Sequence, residues 1–277
     1  MEPLIHARQS RFRRGELPRA VGHDVRCDMR GVVLLVVMVP STAAADWPEA
    51  NPGRPSFSDN AATTATGAFE IEAGVATADL GDTGSAQWTL KYGVTDRFDV
   101  RLNLETTVWG SDLALAGSSL LLKLTLRPPD EDVLGIALEP YLSFPVPDGP
   151  DSWGAGIGLV GTYVTRGFQI DANAVVDVAT ADMQDTAATI TPIVAIGHDV
   201  VGDLAAYVEG LAELPVAGGG SASPFVGVGV GYALTKFLVL DAAFYLGDEP
   251  RTQIFAGLTY SMYIPPRHRP STREARR

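Results

Sequence analysis

Residues Trp88 to Glu105 read WTLKYGVTDRFDVRLNLE, and this stretch restricts the fold more than any other. Before the short break Thr95-Asp96-Arg97, Trp88, Leu90, Tyr92 and Val94 alternate with Thr89, Lys91 and Gly93. After it, Phe98, Val100, Leu102 and Leu104 alternate with Asp99, Arg101, Asn103 and Glu105. Successive side chains on a strand point to opposite faces, so this is a hairpin with one apolar face and one charged face. A soluble sandwich also alternates, so a single hairpin leaves the class open.

Recurrence decides it. The same pattern runs through Phe69–Val75, Leu120–Arg127, Ile136–Tyr141, Ala155–Tyr163 and Phe168–Asp177. It continues through Ile190–Ile196, Leu204–Leu214, Val226–Leu234, Leu238–Leu246 and Ile254–Met262. That gives about twelve segments of roughly 9–11 residues, the length a tilted strand needs to cross a bilayer. Short links (95–97, 165–167, 198–202, 235–236) alternate with longer Gly/Asp/Pro-rich ones (77–85, 110–117, 145–153, 179–185, 215–223, 247–252). The fold expected is all-β, an up-and-down antiparallel transmembrane β-barrel with both termini on the short-turn, periplasmic side. Tyr92 and Phe98, Tyr163 and Phe168, and Tyr232 and Phe237 flank three of the short turns. Aromatic residues recurring at one end suit an interfacial girdle.

The chain before this body has a different character. Val32–Val39 is an unbroken apolar run, too short for a membrane-spanning helix. Arg30 precedes it, and Pro40-Ser-Thr-Ala-Ala-Ala45-Asp46 follows. This is the layout of a secretory signal, with cleavage expected after Ala45. Residues 1–28 fit that layout poorly, so translation is expected to start at Met29. Residues 46–66 are expected to be a periplasmic N-terminal segment, 67–263 the barrel, and 264–277 a basic disordered tail.

The net charge of −12 hides a more acidic body. Residues 1–45 and the tail after Tyr263 hold twelve of the 21 basic residues and five of the 33 acids, leaving nine against 28, near −19. Such a body repels a phosphate backbone, which excludes nucleic acid as a partner. Cys27 is the sole cysteine, so neither a disulfide framework nor a cysteine metal site is available. His198 is the one histidine between the signal and the tail and is placed at a periplasmic turn, away from any nucleophile a hydrolase would need. Gly227-Val-Gly229-Val-Gly231 is followed by no helix that could hold a phosphate, so these glycines read as one small-residue face of a strand. Gly154, Gly156 and Gly158 read likewise. No catalytic residue and no cofactor is expected.

The chain resembles the family of outer-membrane transporters named after the meta-pathway of phenol degradation. The resemblance rests on Arg54-Pro-Ser-Phe-Ser58, Gly67-Ala-Phe-Glu-Ile-Glu-Ala-Gly74, Leu90-Lys-Tyr-Gly-Val-Thr-Asp-Arg-Phe-Asp-Val-Arg-Leu102 and Leu121-Leu-Lys-Leu-Thr-Leu-Arg127. It implies a Gram-negative outer-membrane barrel that passes small or aromatic molecules, and it supplies no catalytic residue.

With the apolar face toward lipid, the opposite face lines the lumen. The candidates there are Glu70, Glu72, Lys91, Asp99, Arg101, Glu105, Lys123, Arg127, Glu139, Tyr141, Asp171, Asp177, Glu209, Glu213 and Asp241. Buried charge is costly unless paired or wet, so these residues either form an ion-paired plug or line a hydrated path. The leading reading is a passive outer-membrane channel for small, aromatic or hydrophobic solutes, with lipid and the barrel-assembly machinery as further partners. The acid excess favours cations or neutral solutes. A non-conducting barrel with a plugged lumen is the second reading, and a soluble exported apolar-ligand binder the third. Arg101→Ala is expected to leave folding intact.

Overall fold

A computed structural model of the chain describes residues 48–79, 83–109, 112–146, 152–181, 185–248 and 252–264. The expected signal segment and the tail beyond Ile264 lie outside them. Twelve strands follow in order: β1 (Ala68–Ala78), β2 (Thr83–Thr95), β3 (Phe98–Trp109), β4 (Asp112–Arg127), β5 (Gly135–Ser143) and β6 (Ser152–Thr165). The second half comprises β7 (Phe168–Ala181), β8 (Asp185–Val201), β9 (Leu204–Ala217), β10 (Ser223–Thr235), β11 (Leu238–Gly247) and β12 (Thr252–Tyr263). Each strand pairs antiparallel with its sequence neighbours, and β1 closes on β12 from Ala68↔Tyr263 to Ala78↔Gln253. The sheet therefore has no edge, the one way a sheet can satisfy its backbone inside a bilayer.

Alternation sets the register. In β4, Leu120, Leu122, Leu124 and Leu126 face outward and are exposed, while Leu121, Lys123 and Thr125 face inward and are buried. A shift of one residue would turn the charged row into the hydrocarbon, so the pattern admits a single register. The opening hairpin pairs Trp88↔Leu104, Leu90↔Leu102 and Lys91↔Arg101, which keeps its two faces distinct across the turn.

The short turns are locally encoded. Arg166 and Gly167 both have positive φ (50° and 79°), as a two-residue hairpin turn requires. At the other two repeats a register shift precedes the turn, and a threonine hydroxyl accepts the N–H two residues on: Thr95 from Arg97 (3.2 Å) and Thr235 from Phe237 (3.3 Å). That is the physical reason for the recurring Thr in the Tyr…Thr…Phe pattern.

Several expected boundaries move. β3 runs on to Trp109, β4 begins at Asp112 within the expected 110–117 link, and β8 runs to Val201. His198 is thus a strand residue, paired with Ala206 and stacked on Phe168 (centroids 4.4 Å apart); the turn lies at Gly202-Asp203.

The larger correction concerns the segment before β1. It was expected outside the barrel on the periplasmic side; residues 51–64 lie inside it. The Ala50 N–H reaches the Lys236 carbonyl at a short turn (2.8 Å), the chain rises to Arg54–Phe57, and it returns to Asp96 beside another short turn through Thr63 and Thr66. This loop fills the short-turn half of the lumen.

Candidate functional site

The inward side chains form two main levels, ordered by height above the short turns. The lower is ionic. Lys91 Nζ lies 2.5 Å from Glu72 and 3.8 Å from Glu70, and donates to the Asn51 carbonyl (2.9 Å). Arg101 Nε meets Asp99 at 2.9 Å, and its Nη1 pairs with Asp59 and stands 3.9 Å from Glu139. Lys123 Nζ bridges Asp59 (3.0 Å) and Glu139 (3.1 Å). All these side chains are at most 3% exposed. Asp59 is the centre of the group and comes from the inserted loop, not from the wall. Burial pushes its carboxyl up, but the Arg101 and Lys123 cations outweigh burial and hold it well below the usual carboxylate range.

The inserted loop is held largely through its backbone. N–H groups of Asn51 and Gly53 donate to Glu70 (2.9 Å) and Glu72 (2.7 Å). Those of Phe57 and Ser58 donate to the two oxygens of Glu209 (3.0 and 2.6 Å). Asp59 donates to Asn173 (2.8 Å), Ala61 to Thr162 (2.8 Å) and Thr64 to Asp99 (2.8 Å). These N–H groups add to the donors that the wall itself supplies, Lys91 to Glu72, Arg101 to Asp99 and Tyr245 to Glu209, and the same bonds give the loop a defined path.

The upper level is apolar. Leu121, Tyr141, Val175, Ile193, Leu211, Phe225, Ala243, Tyr245 and Phe255 form one buried cluster around the inner wall, and Phe57 of the loop packs against it. The Phe57 ring meets Tyr245 edge-on (4.8 Å, 75°) and Phe255 likewise (5.7 Å, 89°). Tyr245 donates its hydroxyl to Glu209 (2.6 Å) and lies 3.1 Å from the Tyr207 hydroxyl. The small-residue strands explain how large rings fit. A Cβ on Gly227 would enter the Tyr245 ring, on Gly229 that of Tyr207, on Gly156 that of Tyr141 and on Gly247 that of Phe225. The glycines are recesses into which the aromatics lie flat.

Of the residues expected in the lumen, Glu70, Glu72, Lys91, Asp99, Arg101, Lys123, Glu139, Asp171, Glu209, Glu213 and Asp241 are buried and face inward. Glu105 and Asp177 are half-buried higher up. Tyr141 belongs to the apolar belt. Arg127 is a correction: beyond the register shift at Thr125/Arg127 it stands exposed on the rim. Arg101 is a second, because its pairing with Asp59, Asp99 and Glu139 makes truncation to alanine costly. Sequence reading missed Asp59, Phe57 and Arg54, which reaches Gln87 (2.8 Å) from the loop tip. Ten acids against four bases at the positions expected to face inward were the available signal that donors had to come from elsewhere.

A closed twelve-stranded antiparallel barrel with an apolar outer face and a polar, partly filled interior defines the outer-membrane β-barrel class. Solved porin structures share the fold, among them the following two. A KdgM porin, in complex with disordered oligogalacturonate, superposes with a TM-score of 0.54 at 12% identity, over 71% of this chain and 99% of that one. A NanC porin does so with a TM-score of 0.54 at 8% identity, over 69% and 98%. No curated protein sequence matches. Residues 52–263 match the family described as "Putative MetA-pathway of phenol degradation", and the chain belongs to that family.

Proposed function

We propose that this protein is an outer-membrane channel for small apolar or aromatic solutes, normally closed by residues 51–64. The observation that carries this reading is the level change inside the lumen. A continuous apolar belt from Leu121 to Phe255 sits above a loop anchored mainly by polar bonds, with the Phe57 ring reaching into the belt. A belt of this kind offers a wall to solutes that water holds poorly. Polar anchors exchange readily for water, whereas an apolar plug would not leave without a large cost. Passage is passive and follows withdrawal of the loop. The acid excess of the wall disfavours anions, including sugar acids such as the oligogalacturonate of the KdgM structure.

The filled lower lumen also favours a second reading, a non-conducting barrel whose loop is permanent. Reconstituted vesicles separate the two. Wild type should transfer a naphthylamine dye into the bilayer and pass hydrophilic solutes at least about tenfold more slowly than a variant lacking 48–64. Correctly inserted wild type that moves no solute of either kind would establish the permanent plug.

A further inference from the structure

The barrel wall has one seam unlike the others. β5 has nine residues and is the shortest strand. It pairs with β4 at Ser119↔Ser143, Leu120↔Leu142 and Leu121↔Tyr141, and again at Leu124↔Leu138, Thr125↔Ala137 and Arg127↔Ile136. Between these groups the pairing stops, at Leu122 and Lys123 opposite Glu139 and Pro140. Pairing of β5 with β6 is continuous through Pro140↔Ile157, so the missing N–H of Pro140 is the one due to the Leu122 carbonyl. Proline inside a sheet is confined to edges and bulges for this reason, and a closed barrel in lipid has neither water nor an edge to relieve it.

A second proline, Pro192, interrupts β8–β9 in the same way, at Thr191-Pro192 opposite Ala212-Glu213. That seam has a longer ladder on one side of the break, running from Ile193↔Leu211 to Val201↔Leu204. The β4–β5 seam is short as well as broken, and three further features meet there. Leu121 and Tyr141 of the apolar belt form its inner lip. Leu120, Leu122, Leu124 and Leu142 form an exposed apolar outer lip. The gap is clasped from within by the Lys123–Glu139 pair, and Lys123 is tied in turn to Asp59 of the inserted loop. The Thr125 hydroxyl also bonds the loop, at the Ala61 carbonyl (2.7 Å). The inserted loop thus braces this seam from inside.

We propose that the β4–β5 seam is a side exit, through which an apolar solute leaves the belt for the hydrocarbon of the membrane once the inserted loop withdraws. This rests on the channel reading above and adds a route to it. Solutes held at Leu121 and Tyr141 lie beside the stretch of this seam that lacks the Pro140 hydrogen bond, with lipid on its far side, and an apolar molecule gains nothing by continuing down an acidic lumen to water. Withdrawal of the loop removes the Asp59 and Ala61 contacts from Lys123 and Thr125 and leaves the Lys123–Glu139 pair as the clasp.

A reversible lock tests the route. Leu120 and Leu142 are directly paired, within the Cα separation a disulfide spans, so L120C/L142C staples the seam when oxidised. Heat-modifiable migration on gels confirms that each variant is folded. Oxidation should slow dye transfer into the bilayer at least about tenfold, and a reductant should restore it. P140V, which returns an N–H to the Leu122 carbonyl, should also slow transfer, while P192V should stay within about twofold of wild type. Wild type that transfers dye at a rate unchanged by both the lock and P140V overturns the side exit and leaves the channel reading standing. Loss of transfer in P192V but not P140V overturns the choice of seam. Wild type that transfers no dye overturns the channel reading and the exit with it.

Discussion

Asp59→Asn removes one negative charge from the middle of the inserted loop and preserves its shape. Asp59 pairs with Arg101 and with Lys123 at 3.0 Å, both cations being almost fully buried. Breaking a buried pair outright costs about 3–5 kcal/mol, because an uncompensated charge is left behind. Here Arg101 keeps Asp99 at 2.9 Å and Lys123 keeps Glu139 at 3.1 Å, so neither cation is abandoned. The loss is that of charge-assisted hydrogen bonds, partly replaced by the amide oxygen, or about 1.5–3 kcal/mol. At 1.4 kcal/mol for each factor of ten, the population with the loop withdrawn rises by about 10–100-fold. Hydrogen exchange reads this directly. The amides of Phe57, Ser58, Ala61 and Thr64 all donate into the wall and are shielded while the loop is seated. Their exchange should accelerate by that factor in D59N, while strand amides such as those of β9 and β11 remain as in wild type. Equal acceleration of loop and strand amides would refute the reasoning, since Asp59 would then support the barrel and not the loop alone. No acceleration would show that its ion pairs contribute nothing to seating.

Three other outcomes follow from the same geometry. The Asp59 carboxyl sits below its free value of about 3.9, so its stabilisation is complete above that pH and is lost as pH falls through the depressed value; the part of the loop amide protection that D59N removes should be lost from wild type only in acid below that free value. Leu102→Arg, on the outer face opposite Leu90 and Leu120, should destabilise the barrel by about 2–4 kcal/mol in denaturant titrations from lipid. Gly227→Val puts a side chain where the Tyr245 ring lies, and should cost about 1–3 kcal/mol in the same assay while perturbing tyrosine fluorescence.

The barrel was legible because lipid enforces it. Wherever one face of a strand meets hydrocarbon, as in Leu120–Leu126 or Val226–Val230, the alternation is strict and the register follows. The pattern fades where that constraint ends. Asp112–Gly117 pairs with β3 across a register shift at Glu105/Thr106, and His198–Val201 contains one at Asp199/Val201; the parity that marks the strands breaks there, and sequence reading cut them short. The inserted loop was illegible for a different reason. Asn51 to Thr64 has no period and no apolar stripe, and its conformation is dictated by carboxylates on β1, β3 and β9 far along the chain. The wall charges were found from alternation, with Arg127 misplaced because a bulge at the strand end breaks the parity that located the others.

The way the loop is held has an evolutionary corollary. Of the bonds that seat it, those from Asn51, Gly53, Phe57, Ser58, Ala61 and Thr64 leave from peptide N–H groups, which every residue but proline carries. Side-chain identity is demanded at few positions, Asp59 and Phe57 foremost. Most substitutions between them should be silent for closure, whereas a proline at any donor position should not. The wall carboxylates have no such latitude, because each answers to a donor fixed in space. Relatives of this protein can thus vary the stopper freely, retuning how readily it leaves, without redesigning the vessel it closes.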